Sequence, residues 1–219
     1  MELHNGLKKL EMMCEKGDLP MCGRYYVDDE TAREIERIIR IADEKVRNTA
    51  PVNVQVKDIH PTDIAPILTA SEHGGISCSL QKWGLPGFDG KQIIFNARSE
   101  SALEKKMFRE GVEHRRIVVP ATWFYEWNRN KEKNIFYRKE QPVLFMAGIC
   151  NRYQGDDRCV ILTTEANASM EPVPTRMPLI LEPEEISEWI YDKNKTEQLL
   201  HKVPCLLDRR TEFEQLSLF

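Results

Sequence analysis

Between residues 115 and 164 five apolar or aromatic runs, RRIVVP, TWFYEW, NIFYR, PVLFMAGI and RCVILTT, follow one another with only polar turns such as NRNKEK and QGDD between them. Runs of about five to eight residues rich in β-branched and aromatic side chains form strands. Parallel neighbours need a crossover of about a dozen residues or more, and these connectors are too short to hold one. The runs therefore pair mainly antiparallel. Upstream, VNVQV and ISCSLQKW alternate with period two, and QIIF ends at Asn96, so the strand-forming region begins near Val52.

Helical periodicity flanks and interrupts this region. Asp28 or Asp29 caps a helix that runs to about Val46, with Ile35, Ile38, Ile39 and Ala42 as its apolar stripe. Ser101 followed by Glu104 fits a capping box for a helix ending near Gly111. After Pro183, near a first helical position, the EEISEW and TEQLLHKV segments return to helix. Residues 2–16 read as a short amphipathic helix with Leu3, Leu7, Leu10 and Met13 or Cys14 at helical spacing, stopped by Gly17 and Pro20. No repeat or low-complexity linker divides the chain, so one α+β domain is expected, with residues 1–20 as an appendage.

Composition narrows function by exclusion. A chain of 219 residues, 41% hydrophobic and 30% charged, is neither collagen-like, coiled-coil nor disordered. It holds no run of about 18 apolar residues, and MELHNGLKKLEMMCEKGDLP has neither a signal core nor a transit pattern. A cytoplasmic location, without a membrane partner, is expected. Cys14, Cys22, Cys78, Cys150, Cys159 and Cys205 show no C-x-x-C spacing, so they read as reduced thiols rather than zinc ligands. Neither a phosphate-cradling glycine loop nor H-E-x-x-H spacing occurs, so no cofactor and no metal is expected. The net charge of −4 argues against indiscriminate nucleic-acid binding. Residues 91–139 nevertheless carry 12 Lys and Arg against 6 Asp and Glu, which permits a local basic face.

The most informative chemistry is positional. In Met21-Cys22-Gly23-Arg24-Tyr25 a cysteine directly follows a methionine. Initiation at Met21 followed by methionine removal leaves Cys22 first, with an amine and a thiol on adjacent carbons. Such a group condenses with an aldehyde twice, first as an imine and then by closure to a thiazolidine. The second step is intramolecular and gains the effective concentration that orientation supplies. With an α-amino pKa of about 8 against about 10.4 for lysine, the terminal amine has a neutral fraction some hundreds of times larger at pH 7. It is the better aldehyde trap.

Five further strings follow MCGRYY in order: WGLP at 83–86, NARSE at 96–100, VPATWFYEW at 119–127, TTEAN at 163–167 and RMPLIL at 176–181. Together they resemble the SOS response-associated peptidase (SRAP) family, the abasic-site processing proteins, from Met21 to about Trp189. The resemblance implies an SRAP-like domain over residues 21–219, with curved or barrel-like sheets surrounded by helices. It implies a monomer that binds single-stranded DNA and links Cys22 covalently to the aldehyde of an abasic site, with self-processing peptidase activity. Cys22 matches the family nucleophile, Asn96 the asparagine beside it, and Glu126 the catalytic glutamate. Arg98 and Arg176 match phosphate-binding arginines, and Arg24 and Trp83 match positions lining the same cleft. A guanidinium suits phosphate geometry, a carboxyl packed among aromatics has a raised pKa suited to proton transfer, and an indole offers a face to a splayed base. Taken singly, each has a plainer reading: turn cap, strand carboxylate, surface ion pair or core tryptophan.

Two departures stand out. The family's usual histidine falls at Pro174, which cannot transfer a proton. The residues ahead of Met21 keep the nitrogen of Cys22 in an amide, which cannot form the imine. Later initiation, self-cleavage or loss of crosslinking each answers this, so two other readings stand beside the first. One is a non-covalent single-stranded DNA-binding module, and the other is a cysteine hydrolase acting on a small metabolite.

Overall fold

The computed structural model describes residues 22–42, 54–72, 74–87, 90, 92–171, 173 and 175–211. The expected helix over residues 2–16, the stretch beyond Ala42 and Pro174 itself lie outside them.

The strands follow the apolar runs. β1 (Tyr25–Val27), β2 (Lys57–Ile59), β3 (Ile64–Ala70), β4 (Ile76–Trp83), β5 (Leu85–Pro86), β6 (Ile93–Ile94) and β7 (Asn96–Arg98) precede the central series. That series is β8 (Arg116–Ala121), β9 (Trp123–Trp127), β10 (Lys133–Tyr137), β11 (Leu144–Tyr153) and β12 (Asp156–Glu165), and β13 (Arg176–Pro178), β14 (Ile180–Leu181) and β15 (Asp208–Thr211) complete the set. Helices α1 (Asp29–Ala42), α2 (Lys106–His114), α3 (Glu185–Tyr191) and α4 (Thr196–Leu200) lie between them.

One sheet runs β13-β12-β4-β3-β8-β11-β14, and an added β12–β11 pairing closes its middle strands into a five-stranded barrel. The other, β15-β10-β9-β1-β2, is open. Pairing is antiparallel as expected, except that β12 runs parallel to β4 and β7.

Period two along the barrel strands sorts side chains into two cores. Leu68, Val118, Phe145, Ala147, Ile149, Val160 and Leu162 pack with helix residues such as Ile35, Phe108, Val112, Ile186 and Trp189. The alternate residues Ile67, Ile117, Val119, Met146, Cys159 and Ile161 pack with Tyr25, Val27, Ile59, Phe124 and Phe136 of the open sheet. Helices thus cover one face, and the open sheet rests on the other.

Several local expectations change. Asp28 does cap α1, its carboxylate accepting from Thr31 N at 2.8 Å. The Ser101–Glu104 capping box does not form: Ser99–Ser101 is a 3-10 turn, and α2 begins at Lys106 without a side-chain cap. Gly111 does not stop α2. A Cβ there would lie 3.0 Å from Ile149 Cδ1 and 3.2 Å from the Cys150 carbonyl, so glycine lets the helix ride close on β11. Residues 54–56 are irregular, and the strand expected at VNVQV starts at Lys57.

The basic stretch is also not simply a face, because Arg116 is 5% exposed. Its Nη1 donates to the carbonyls of Val112 (2.8 Å) and Glu113 (3.2 Å), and its Nη2 to Ile190 O (3.3 Å), while its Nε donates to Trp189 O. One buried cation therefore satisfies carbonyls at the C-terminal ends of α2 and α3, where unpaired acceptors and negative dipole ends collect.

Candidate active site

Pairing of β1 with β9 builds the site. The register Tyr25↔Phe124 and Tyr26↔Trp123, extended by the Tyr125 N to Arg24 O bond of 3.0 Å, brings the residues before β1 alongside the end of β9. Cys22 consequently meets Glu126 across 104 residues of sequence, its backbone nitrogen donating to a carboxylate oxygen of Glu126. Cys22 has φ +48°, a left-handed conformation uncommon for a residue with a Cβ.

Alternation along β9 turns Phe124 and Glu126 to the inner side. Glu126 is only 4% exposed, and burial, partly opposed by hydrogen bonds from the Cys22 and Trp127 amides, pushes its carboxyl up to about 8. Burial and then the charge of Glu126 push the Cys22 thiol well above its ordinary range. Near neutral pH the thiol is protonated, and the carboxyl is present in both forms.

Asn96 adjoins this pair through its neighbour. It opens β7, which lies parallel to β12 with Ile161↔Asn96. A Cβ at Gly23 would lie 3.8 Å from the Phe95 ring, so the segments that carry Cys22 and Asn96 pack together.

Arg98 and Arg176 share a cleft of about 890 Å³, also bordered by Asn128, Arg129, Asn167 and Thr175. They differ in exposure. Arg98 is exposed at the end of β7. Arg176 is 9% exposed, with Nη2 2.7 Å from Glu100 Oε2 and 2.6 Å from Thr163 O. Burial opposes ionisation of Glu100, yet the Arg176 guanidinium holds its carboxyl below the usual range. Arg176 is thus an anchored, paired cation.

Arg24 and Trp83 do not border this cleft. Arg24 pairs with Asp58 at 2.6 Å and lies 4.6 Å from the Tyr125 ring centroid. Trp83 is 1% exposed. Its Nε1 donates to Phe95 O at 2.9 Å and its ring packs edge-on to Phe95 and tilted to Tyr25. With neither face open it is a core residue, so the expected stacking platform gives way to packing that holds β1 and the Phe95 segment in place.

Two features escape a reading by motif. Arg129 joins the cleft through the β9–β10 turn, which Asn128 shapes by accepting from Asn130 N and Glu132 N, each at 3.0 Å. The only cue in sequence is an arginine in a polar turn. Val173 and Thr175, the sequence neighbours of Pro174, line the cleft. Among the described residues no cluster of three or more His, Cys, Asp or Glu side chains is placed to hold a metal, and no helix is long and apolar enough to cross a membrane.

Fold and site together define an α+β barrel protein with a buried cysteine–carboxylate pair, Cys22 and Glu126, and an arginine-bearing cleft that neither of them lines. The family model for the SOS response associated peptidase (SRAP) matches residues 21–217, and the chain belongs to that family. The abasic site processing protein YoqW of Bacillus subtilis (strain 168) is 31% identical over 193 residues, covering 80% of this chain and 82% of its own length. The abasic site processing protein YedK of Escherichia coli (strain K12) is 32% identical over 116 residues, 49% of this chain and 52% of its own. A crystal structure of a Bacteroides thetaiotaomicron protein matches with a TM-score of 0.70 at 26% identity, covering 87% of this chain and 91% of that one.

Proposed function

We propose that this protein processes abasic sites, capturing the ring-opened aldehyde in single-stranded DNA through Cys22 as the first residue of the mature chain. The observation that carries the reading is the hydrogen bond from the Cys22 nitrogen to the buried Glu126 carboxylate. It seats a proton-transfer group on the atom that becomes the attacking amine.

The amine acts first, because burial keeps the thiol protonated. Its nitrogen adds to the aldehyde carbon to give a carbinolamine. Glu126, as the neutral acid, protonates the hydroxyl, which leaves as water and forms the imine. The thiol then adds across the C=N bond while its proton moves to the nitrogen, closing a five-membered thiazolidine. One aldehyde, one amine and one thiol give one thiazolidine and one water. Asn96 holds the sugar oxygen through its side-chain amide, and Arg98 with Arg129 meets the phosphates. Arg176, held by Glu100, fixes the cleft wall. Freeing the amine requires loss of residues 1–21, either by initiation at Met21 or by attack of Cys22 on the preceding carbonyl and hydrolysis, with Glu126 as base.

Protein begun at Cys22, mixed with a single-stranded oligonucleotide containing one abasic site, is expected to give a gel band that survives denaturant. No covalent band overturns the proposal. Salt-sensitive binding that is unchanged in Cys22→Ala supports the non-covalent module instead. The intact mass of the full-length chain over time separates self-processing from initiation at Met21.

A further inference from the structure

Two thiols outside the site stand opposite each other on neighbouring barrel strands. Cys150 on β11 and Cys159 on β12 are direct antiparallel partners, both are reduced, and both side chains belong to the same buried cluster. The direction of the backbone bonds gives the geometry of the pair. Cys150 N donates to Arg115 O at 2.9 Å, towards β8, and Gly84 N donates to Cys159 O at 2.7 Å, towards the β4 edge. Both residues turn their peptide groups away from each other, so this is a non-hydrogen-bonded pair.

Such pairs hold their Cα atoms about 4.5 Å apart with the side chains close. A disulfide spans Cα separations of about 4.4–6.8 Å. The strands are also tightly apposed next door, where a Cβ at Gly148 would lie 2.8 Å from Val160 O. We infer that Cys150 and Cys159 are a modification site: a dithiol that peroxide converts to a reversible cross-strand disulfide.

The two sulfurs are not equivalent. Cys150 is 9% exposed and Cys159 is 0% exposed, so peroxide reaches Cys150 first. Burial pushes the Cys150 thiol up and Asp157 adds to this, while a hydrogen bond with Gln81 and the charge of Arg115 partly oppose it; Cys159 has no such cation among the influences on it. The Cys150 thiolate attacks one peroxide oxygen, the O–O bond breaks, and the products are Cys150 sulfenic acid and water once the leaving hydroxide takes a proton. The Cys159 sulfur then displaces the sulfenic hydroxyl as a second water, forming the S–S bond. Two thiols are oxidised and one hydrogen peroxide is reduced to two waters. Because buried thiols ionise reluctantly, the reaction is slow compared with that of an activated cysteine.

The test uses full-length Cys22→Ser protein, so that oxidation of Cys22 does not intrude. It is treated with hydrogen peroxide, alkylated under denaturing conditions and mapped by mass spectrometry. The expected result is a loss of two hydrogens, a linked Cys150–Cys159 peptide and full reversal by a thiol reductant. In Cys159→Ser, Cys150 is expected to be trapped as sulfenic acid by dimedone. In Cys150→Ser, Cys159 is expected to stay alkylatable. A map in which other cysteines oxidise while this pair remains fully alkylated overturns the inference, as does a bridge from either residue to a different cysteine. The map of Cys22→Ser alone decides the point even where a second substitution impairs folding.

Discussion

Glu126 and Glu100 lie at different depths, the first 4% exposed and the second with a side chain 35% exposed beside Arg176, and the molecule treats their charge in opposite ways. Glu126 is buried, with the Cys22 and Trp127 amides donating to it, and burial raises its carboxyl to about 8. Burial opposes the charge of Glu100 as well, but Arg176 at 2.7 Å reverses the outcome and holds it below the usual range. Deep burial leaves Glu126 exchanging protons near neutrality, whereas partial exposure and the Arg176 partner keep Glu100 a fixed anion. The buried carboxyl keeps its proton up to the alkaline side of neutrality, and the carboxyl beside Arg176 stays ionised.

The largest expected effect breaks or confirms the first half of that contrast. Glu126→Gln keeps an oxygen that accepts from Cys22 but cannot give or take a proton. Single-turnover crosslinking by protein begun at Cys22 should slow by about 10²–10⁴-fold, and the inflection of the wild-type rate on the alkaline side of neutrality should vanish. An unchanged rate would show that Glu126 only braces the chain.

Stability should report the same contrast. A carboxyl whose folded pKa is raised contributes stability that is complete below its unfolded value of about 4.5 and is lost as pH rises through about 8. Wild-type protein should therefore lose up to a few kcal/mol of relative stability across that window. Glu126→Gln should flatten the slope and exceed wild type in urea midpoint at pH 9. For Glu100 the sign inverts: its contribution is present above the unfolded pKa and is lost as pH falls through the lower folded one. Glu100→Gln should consequently be weaker than wild type at neutral pH and converge with it in acid.

Arg176 and Arg98 sharpen the second half. Removing Arg176 takes the guanidinium from Glu100, which keeps only the weaker Thr164 hydroxyl and backbone bonds, and a donor from the Thr163 carbonyl, so Arg176→Ala should cost about 1–3 kcal/mol in chemical denaturation. Arg98→Ala should cost less than Arg176→Ala in the same measurement, because Arg98 is exposed at the end of β7 while Arg176 is buried. Equal losses in both would show that the two cations are not differently employed.

How much of this was legible in the sequence follows from the range of each interaction. The strands from Arg116 to Glu165 were readable because period two and short turns are local signals. A barrel-like sheet was expected only through the family resemblance, because closure depends on β12 returning to β4 and pairing with β11, which no local pattern encodes. The apparent capping box at Ser101 failed because helix entry is set by a 3-10 turn that packs Ala102 into the core. Gly111 read as a stop for want of knowledge that β11 crosses beneath it. At the site, Cys22, Glu126, Arg98 and Arg176 were named from motifs, but the anchoring of Arg176 by Glu100 was not foreseeable. Trp83 needed burial to place it in the core. Arg129 carried no pattern at all, because it reaches the cleft only through a turn that Asn128 shapes.

Arg129 also supplies the finest discrimination within the cleft. If a single strand follows it, Arg98 and Arg129 each neutralise one phosphate, and each contact adds about 0.7 to the slope of log affinity against log salt. Anisotropy with Cys22→Ser protein and an undamaged single-stranded oligonucleotide measures that slope without covalent capture. Arg98→Ala and Arg129→Ala should each lower it by about 0.7 and weaken binding several-fold at low salt, with the double variant lowering it by about 1.4. Arg116→Ala, assayed on its folded fraction, should leave the slope unchanged, since that guanidinium is spent on helix carbonyls. A full slope retained in the double variant would place the strand elsewhere and separate the cleft from the Cys22 chemistry.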